Sequence, residues 1–251
     1  MQEILDALAE QQRVLADLLD SFADDDWAKP SPCEGWSAAD VVLHLAQTNE
    51  MAIASATGGY REYFESLPAL RTPPKDVDDA ADLMVQAERG VPVADLRARW
   101  DATAAALMAA LSAVDPHTRV DWVAGQLSVH TLGTTRLAET WIHTGDVFEA
   151  VGREQPPADR ERHIARLAWR TLPYAFARAG RDAPSGGVTF ELTGVDGEVL
   201  QLESPGAATV VRGPMHDLCL VAARRRTPAA TALTATGPDA DAVLELVRTY
   251  A

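Results

Sequence analysis

The sequence predicts an α-helical bundle followed by a small α+β domain. Residues 1–152 hold four stretches whose apolar residues recur at three- and four-residue spacing, the period of a helix with one buried face. From Gly186 the pattern becomes short alternating or β-branched runs bounded by glycine and proline. Between them "GREQPPADRER" at 152–162 has the paired prolines and mixed charge of a linker. The expected organisation is a bundle over 1–152, a linker and connecting helix over 153–185, and an α+β domain over 186–251.

The first helix is expected over 2–23, where Ile4, Leu5, Leu8, Val14, Leu15, Leu18, Leu19 and Phe22 share a face. "AKPSPCEG" breaks it. Ser37 with Asp40 three positions on is a capping-box signature, and it starts a second helix that "ATGGY" ends. "LPALRTPPKDVDD" reads as a loop, and a third helix as filling much of 93–114. The fourth starts near Ser128 or Thr131, runs through Val147 and stops at Gly152 in the C′ position. Four such helices make a bundle. A connecting helix is expected over 159–179. "GVTFELTG", "GEVLQLES" and "AATVVRG" then read as a small antiparallel sheet. "PMHDLCLVAARR" returns to helical spacing with Pro214 suited to its first turn. "ATALTATG" reads as a last strand and "PDADAVLELVRTY" as a last helix.

Composition bounds the function. With 47% apolar and 24% charged residues over 251 positions, the chain has ample material for a packed core. Its 37 acids against 22 bases give a net charge of −15, which a nucleic-acid backbone or an anionic lipid surface would repel. No apolar run reaches the roughly 18–20 residues that span a bilayer, and the N-terminal stretch lacks the basic region of a signal peptide. Only Cys33 and Cys219 are present, without a nearby partner, so a cytoplasmic protein with reduced thiols is expected.

The stretch "RLAETWIHTGD" at 136–146 places Glu139 and His143 four positions apart, one turn apart on one helix face. Any solvated helix can carry such a pair. His44 lies within the second helix, flanked by Val41, Val42, Leu43 and Leu45, where a lone histidine is ordinarily a hydrogen-bonded core residue. Together, however, two histidines and a carboxylate from two bundle helices make a three-ligand divalent-metal site with open positions. That ligand count is typical of catalytic rather than structural zinc. Asp146 shares the same face and is expected to orient a ligand imidazole or to balance a charge, and stands with Arg136 as a candidate to meet the substrate. Arg136 and Thr135 border it as candidates to receive a substrate carboxylate, with solvent exposure as the alternative. His130 lies about 220° around the helix from His143 and is expected outside the site. His117, His163 and His216 are expected on the surface, Cys33 in packing, and Trp36 and Trp141 in the core or a pocket wall.

Trp27, "PSPCEGWSAADVVLHLA" at 30–46 and "RLAETWIHTGDVFEAVG" at 136–152 resemble the paired signatures of the mycothiol-dependent maleylpyruvate isomerase family, within the DinB-like metal-binding superfamily. The resemblance implies a DinB-like four-helix bundle whose divalent metal is held by His44, Glu139 and His143. It also implies a sterol-carrier-like α+β domain over 186–251, from which an arginine assists catalysis. "RRR" at 224–226 falls in a similar region and makes Arg224 and Arg225 candidates, with a solvated basic face as the alternative.

The expected function is therefore a divalent-metal enzyme, with Zn2+ the first choice, that activates a low-molecular-weight thiol for transfer to, or isomerisation of, a small electrophile. The resemblance supplies mycothiol as that thiol. Two alternatives stay open: a hydrolase or lyase using metal-bound water, and a non-catalytic small-molecule binding protein. Two histidines and a carboxylate also describe an iron(II) facial triad, so the metal is open too.

Overall fold

A computed structural model of the chain describes residues 1–67, 74–123 and 125–249. The chain divides into two compact units, Met1–Gln155 and Pro156–Ala251.

The first unit follows from amphipathic helices with side-chain caps. Helix α1, Gln2–Asp20, buries Ile4, Leu5, Leu8, Leu15, Leu18 and Leu19. It stops short of the expected residue 23 because the Ser21 hydroxyl donates to Leu18 O at 2.6 Å and a 3-10 turn follows at Asp24–Ala28. Helix α2, Ala38–Thr57, starts on the expected capping box. Ser37 Oγ accepts from Asp40 N at 3.2 Å, and Asp40 Oδ2 accepts from Ser37 N at 2.9 Å. It ends at Gly58, whose φ of 83° is the left-handed cap that only glycine adopts freely.

Two helices stand between the second and third expected ones, where the sequence reading assigns no helix. Helix α3 is Tyr60–Ser66 and α4 is Val77–Glu88, which Asp76 caps through Asp79 N at 2.9 Å. The expected loop at 67–79 thus ends inside α4, and its residues 68–73 lie outside the described residues. Helix α5, Val93–Ala113, matches the third expected helix. An unanticipated hairpin of β1, Arg119–Trp122, and β2, Gly125–Ser128, leads into helix α6, Val129–Ala150. Ser128 caps α6 through Thr131 N at 3.2 Å. Helix α2 packs against α5 and α6, and α1 against α6 and α5, which makes the bundle. Its core joins Leu15, Leu18, Val41, Val42, Leu45, Trp100 and Val147.

In the second unit α7, Glu161–Arg178, expected as a connector, packs against α8, Met215–Ala222, and α9, Ala240–Leu246. The sheet has the order β4-β3-β5-β6, with β3 at Val188–Thr193, β4 at Val199–Leu202, β5 at Thr209–Pro214 and β6 at Thr234–Thr236. It is mixed rather than antiparallel, because β3 and β5 run parallel from Val188↔Thr209 to Thr193↔Pro214. Strand β4 returns the chain, and residues 203–208 then cross the start of β3. There Gly187, at φ 70°, lets Ser204 approach so closely that a Cβ would lie 2.4 Å from the serine Cβ. Alternation of side chains predicts strands but not their direction, and the crossing decides it.

Candidate metal centre

The capping box of α2 sets His44 on the second turn of that helix, and Ser128 sets Glu139 and His143 on α6, which packs against α2. Their ligand atoms, one from each side chain, all lie within 4.8 Å of one another. His44 Nε2 and His143 Nε2 stand 3.8 and 3.6 Å from the same Glu139 Oε2. Both distances are long for a hydrogen bond. They are closer to the roughly 3.4 Å expected between two ligands that each sit about 2.1 Å from a tetrahedral zinc. The imidazole rings meet edge to face with centroids 4.9 Å apart. His44 and His143 are buried and Glu139 partly so, so the solvated helix pair is not what forms.

Each group is held in a defined state. His143 Nδ1 lies 2.9 Å from Asp146 Oδ2, and since a carboxylate only accepts, Nδ1 carries a proton and Nε2 is the ring nitrogen turned to Glu139. Asp146 thus orients the imidazole, one of the two expectations for it, and being buried it is not placed to meet a substrate. Burial pushes the His143 pKa down, but the bonds to Asp146, Cys33 and Glu139 outweigh it and hold it well above the usual histidine value. Carboxylates that draw a proton onto this imidazole also favour a divalent cation in its place. His44 goes the other way: burial, with His143 and Arg136 nearby, brings it down to about 4, against the pull of Glu139. Burial alone would raise the Glu139 carboxyl, yet His143, His44 and Arg136 keep it below the usual carboxylate range. At neutral pH the set therefore offers an anionic carboxylate and an uncharged His44, a donor set that fits a divalent metal.

Three side chains differ from the sequence reading. Arg136 is 1% exposed, neither solvated nor open to a substrate carboxylate. Its Nη2 donates to Thr48 Oγ1 at 3.0 Å and Asn49 Oδ1 at 3.1 Å, while its Nε has no hydrogen-bond partner. Thr135 is buried too. Cys33 does pack against the core, but its thiol also donates to Asp146 Oδ2 at 3.3 Å and lies 4.0 Å from His143 Nδ1. Trp36 forms one wall, its ring 5.1 Å from that of His44, with its Nε1–H on Asp82 Oδ1 at 3.0 Å.

His117 is exposed and His130 is absent from the cluster, as expected. His163 is buried, and His216 is paired with Glu161 at 2.9 Å, so neither is the surface residue its sequence surroundings suggest. The partner of His216 is 55 residues away, out of reach of local pattern. Arg224, exposed with φ 63°, and the half-buried Arg225 line a surface cleft of about 290 Å³ in the second unit, with Arg226, Thr227, Pro228 and Glu245. Arg225 Nη1 donates to Ala223 O at 3.0 Å.

A helical bundle that gathers two imidazoles and a carboxylate from two helices defines a candidate metal centre of three protein ligands, the number common in catalytic sites, where structural ones have four. The family model for the mycothiol maleylpyruvate isomerase N-terminal domain matches residues 8–148, a span that contains His44, Glu139 and His143, and the chain belongs to that family, which takes its name from an enzyme. Uncharacterized proteins from two strains of Mycobacterium tuberculosis are each 32% identical over 229 residues, covering 90% of this chain and 87% of theirs. A crystal structure of the mycothiol-dependent maleylpyruvate isomerase matches with a TM-score of 0.63 at 19% identity, covering 95% of both chains. A histidine-to-alanine mutant of it gives 0.63 at 18%, covering 93% of this chain and 92% of that one. At those identities the likeness establishes the fold, a helical N-terminal domain and a small C-terminal sheet domain. No helix among the described residues is long and apolar enough to cross a membrane.

Proposed function

We propose that the protein is a divalent-metal-dependent enzyme that uses a low-molecular-weight thiol, mycothiol by family membership, to isomerise or add to a small electrophilic substrate. The observation that carries this reading is the convergence of His44 Nε2 and His143 Nε2 on Glu139 Oε2 at 3.8 and 3.6 Å. His44, Glu139 and His143 would hold the metal, with zinc the first choice for two imidazoles and a carboxylate. When bound, a cation there would supply the electrostatic pull that lowers the pKa of a thiol beside it.

The chain's own residues prepare that centre. Glu139 contributes the negative charge, and the burial of His44 keeps its imidazole uncharged and ready to donate its lone pair. Asp146 holds the Nδ1–H of His143 and so fixes the ring's orientation. Trp36 screens His44 from water along one side. Arg136 adds a buried positive charge one turn from Glu139, which favours an anionic ligand at the centre over a neutral one.

The test is to load the protein with cobalt(II), add mycothiol and look for a sulfur-to-metal charge-transfer band. We expect the band in the wild type and its loss, with most of the metal, in His44→Ala. Metal fully bound with no band at saturating mycothiol would overturn thiol activation in favour of water activation or binding alone. Unchanged metal content in His44→Ala and His143→Ala would overturn the centre itself.

A further inference from the structure

Cys33 lies in the loop between the first two bundle helices, 113 residues before Asp146, yet its Sγ reaches Asp146 Oδ2 at 3.3 Å. The same oxygen receives the His143 Nδ1–H at 2.9 Å. One carboxylate oxygen thus accepts two donors, one from the loop and one from the imidazole that faces Glu139. A buried carboxylate, 1% exposed as Asp146 is, turns freely about its last torsion unless its oxygens are fixed by donors. The thiol is such a donor.

The loop that carries the thiol is itself fixed. Ser31 Oγ accepts from Cys33 N at 3.2 Å and donates to Trp36 O at 2.9 Å, and Trp36 N returns to Cys33 O at 3.0 Å. Gly35 makes this closure possible with a φ of 76°. From outside, Arg89 donates through Nη2 to Gly35 O at 3.0 Å and through Nε to Asp40 Oδ1 at 3.1 Å, while Asp82 holds the Trp36 indole. The loop is tied by these bonds before it reaches the site, so the thiol arrives at a set place.

We propose that Cys33 is a positioning residue of the metal centre: its thiol fixes the Asp146 carboxylate, which in turn aims His143 Nε2 at the cation. The inference rests on the metal reading above. Cys33 is neither nucleophile nor ligand in this role. Its contribution is the constancy of one ring's orientation, and partners beyond the ligands are worth about 10–100-fold in metal affinity.

The experiment is a double-mutant cycle in the full chain, read by competition for Zn2+ against a chromophoric chelator at fixed pH. Asp146→Ala should weaken binding about 10–100-fold and Cys33→Ala about tenfold. The double variant should bind no more weakly than Asp146→Ala alone, because the thiol acts only through that carboxylate. Cys33→Ser, which keeps a donor, should regain most of the loss. A general packing defect would instead lower the Tm of the metal-free Cys33→Ala protein and leave the affinity of its folded fraction unchanged. That result, or losses that add in the double variant, would overturn the proposal while leaving the centre intact. A wild type that binds no Zn2+ would overturn the metal reading and this inference with it.

Discussion

Helices α5 and α6 are almost equal in length, and they bury very different things. Of its 21 residues α5 buries Leu96, Trp100, Thr103, Ala104, Leu107 and Leu111, one stripe facing the bundle. Of its 22 residues α6 buries sixteen, and Arg136, His143 and Asp146 are among them. A single stripe is what packing requires of a bundle helix. Enclosing three ionisable groups is not, because each charge taken from water must be repaid by partners to break even. The difference separates a helix that only packs from one that also holds the candidate centre, and it marks that centre without reference to any relative.

The sharpest attempt to break that contrast removes apolar volume from both helices. Leu107 and Leu137 are each fully buried, and each changed to alanine should lose about 2–5 kcal/mol in urea denaturation. A loss under about 1 kcal/mol for Leu137→Ala would mean that α6 is enclosed without being packed.

A somewhat smaller effect should come from pH, through the polar set alone. The folded His44 titrates near 4 instead of 6.5, so the unfolded chain binds that proton more tightly. Its stabilisation is complete above pH 6.5 and is lost as pH falls toward 4, to a total of about 3 kcal/mol. His143, with its pKa raised, is protonated in both states below 6.5 and adds no slope there, and Glu139 contributes only below its ordinary value of 4.5. Metal-free protein should therefore weaken between pH 6.5 and 4.5, with a flatter limb in His44→Gln. An identical limb in that variant would assign the effect elsewhere.

The smallest effect sharpens the contrast at the helix starts. α6 has a side-chain cap in Ser128, whereas Pro92 at the head of α5 offers none. Ser128→Ala should lower stability by about 1 kcal/mol, read as a fall in Tm.

What the sequence made legible divides along the same line. Ser37 with Asp40 marked the start of α2, Ser128 the start of α6 and Gly58 and Gly152 the stops, because caps are local chemistry within four residues. His44, Glu139 and His143 were legible because a helix turns spacing into direction. Helix α4 was not, since it buries only Met84 and Val85 and so has little apolar period to read. The β1–β2 hairpin has strands of four residues, too short for alternation to stand out. The direction of β5 depended on a crossing at Gly187, and the burial of Arg136 on α2 lying against its whole length. The thiol of Cys33 meeting Asp146 is a contact across 113 residues, for which local pattern has no signal.

The threonines of α6 have a further consequence. Thr134 donates to His130 O, Thr135 to Leu132 O, Thr140 to Arg136 O and Thr144 to Thr140 O, each within the helix itself. Such a side chain brings no unmet donor to whatever it touches, and its methyl faces outward like that of a valine. The carbonyl it uses can still accept its ordinary helical bond if the hydroxyl is lost. These positions are therefore free to drift among threonine, serine, valine and alanine over evolutionary time without rewiring a network. The helix that carries Glu139 and His143 can thus change its buried surface in small, independent steps while the His–Glu–His set stays where it is.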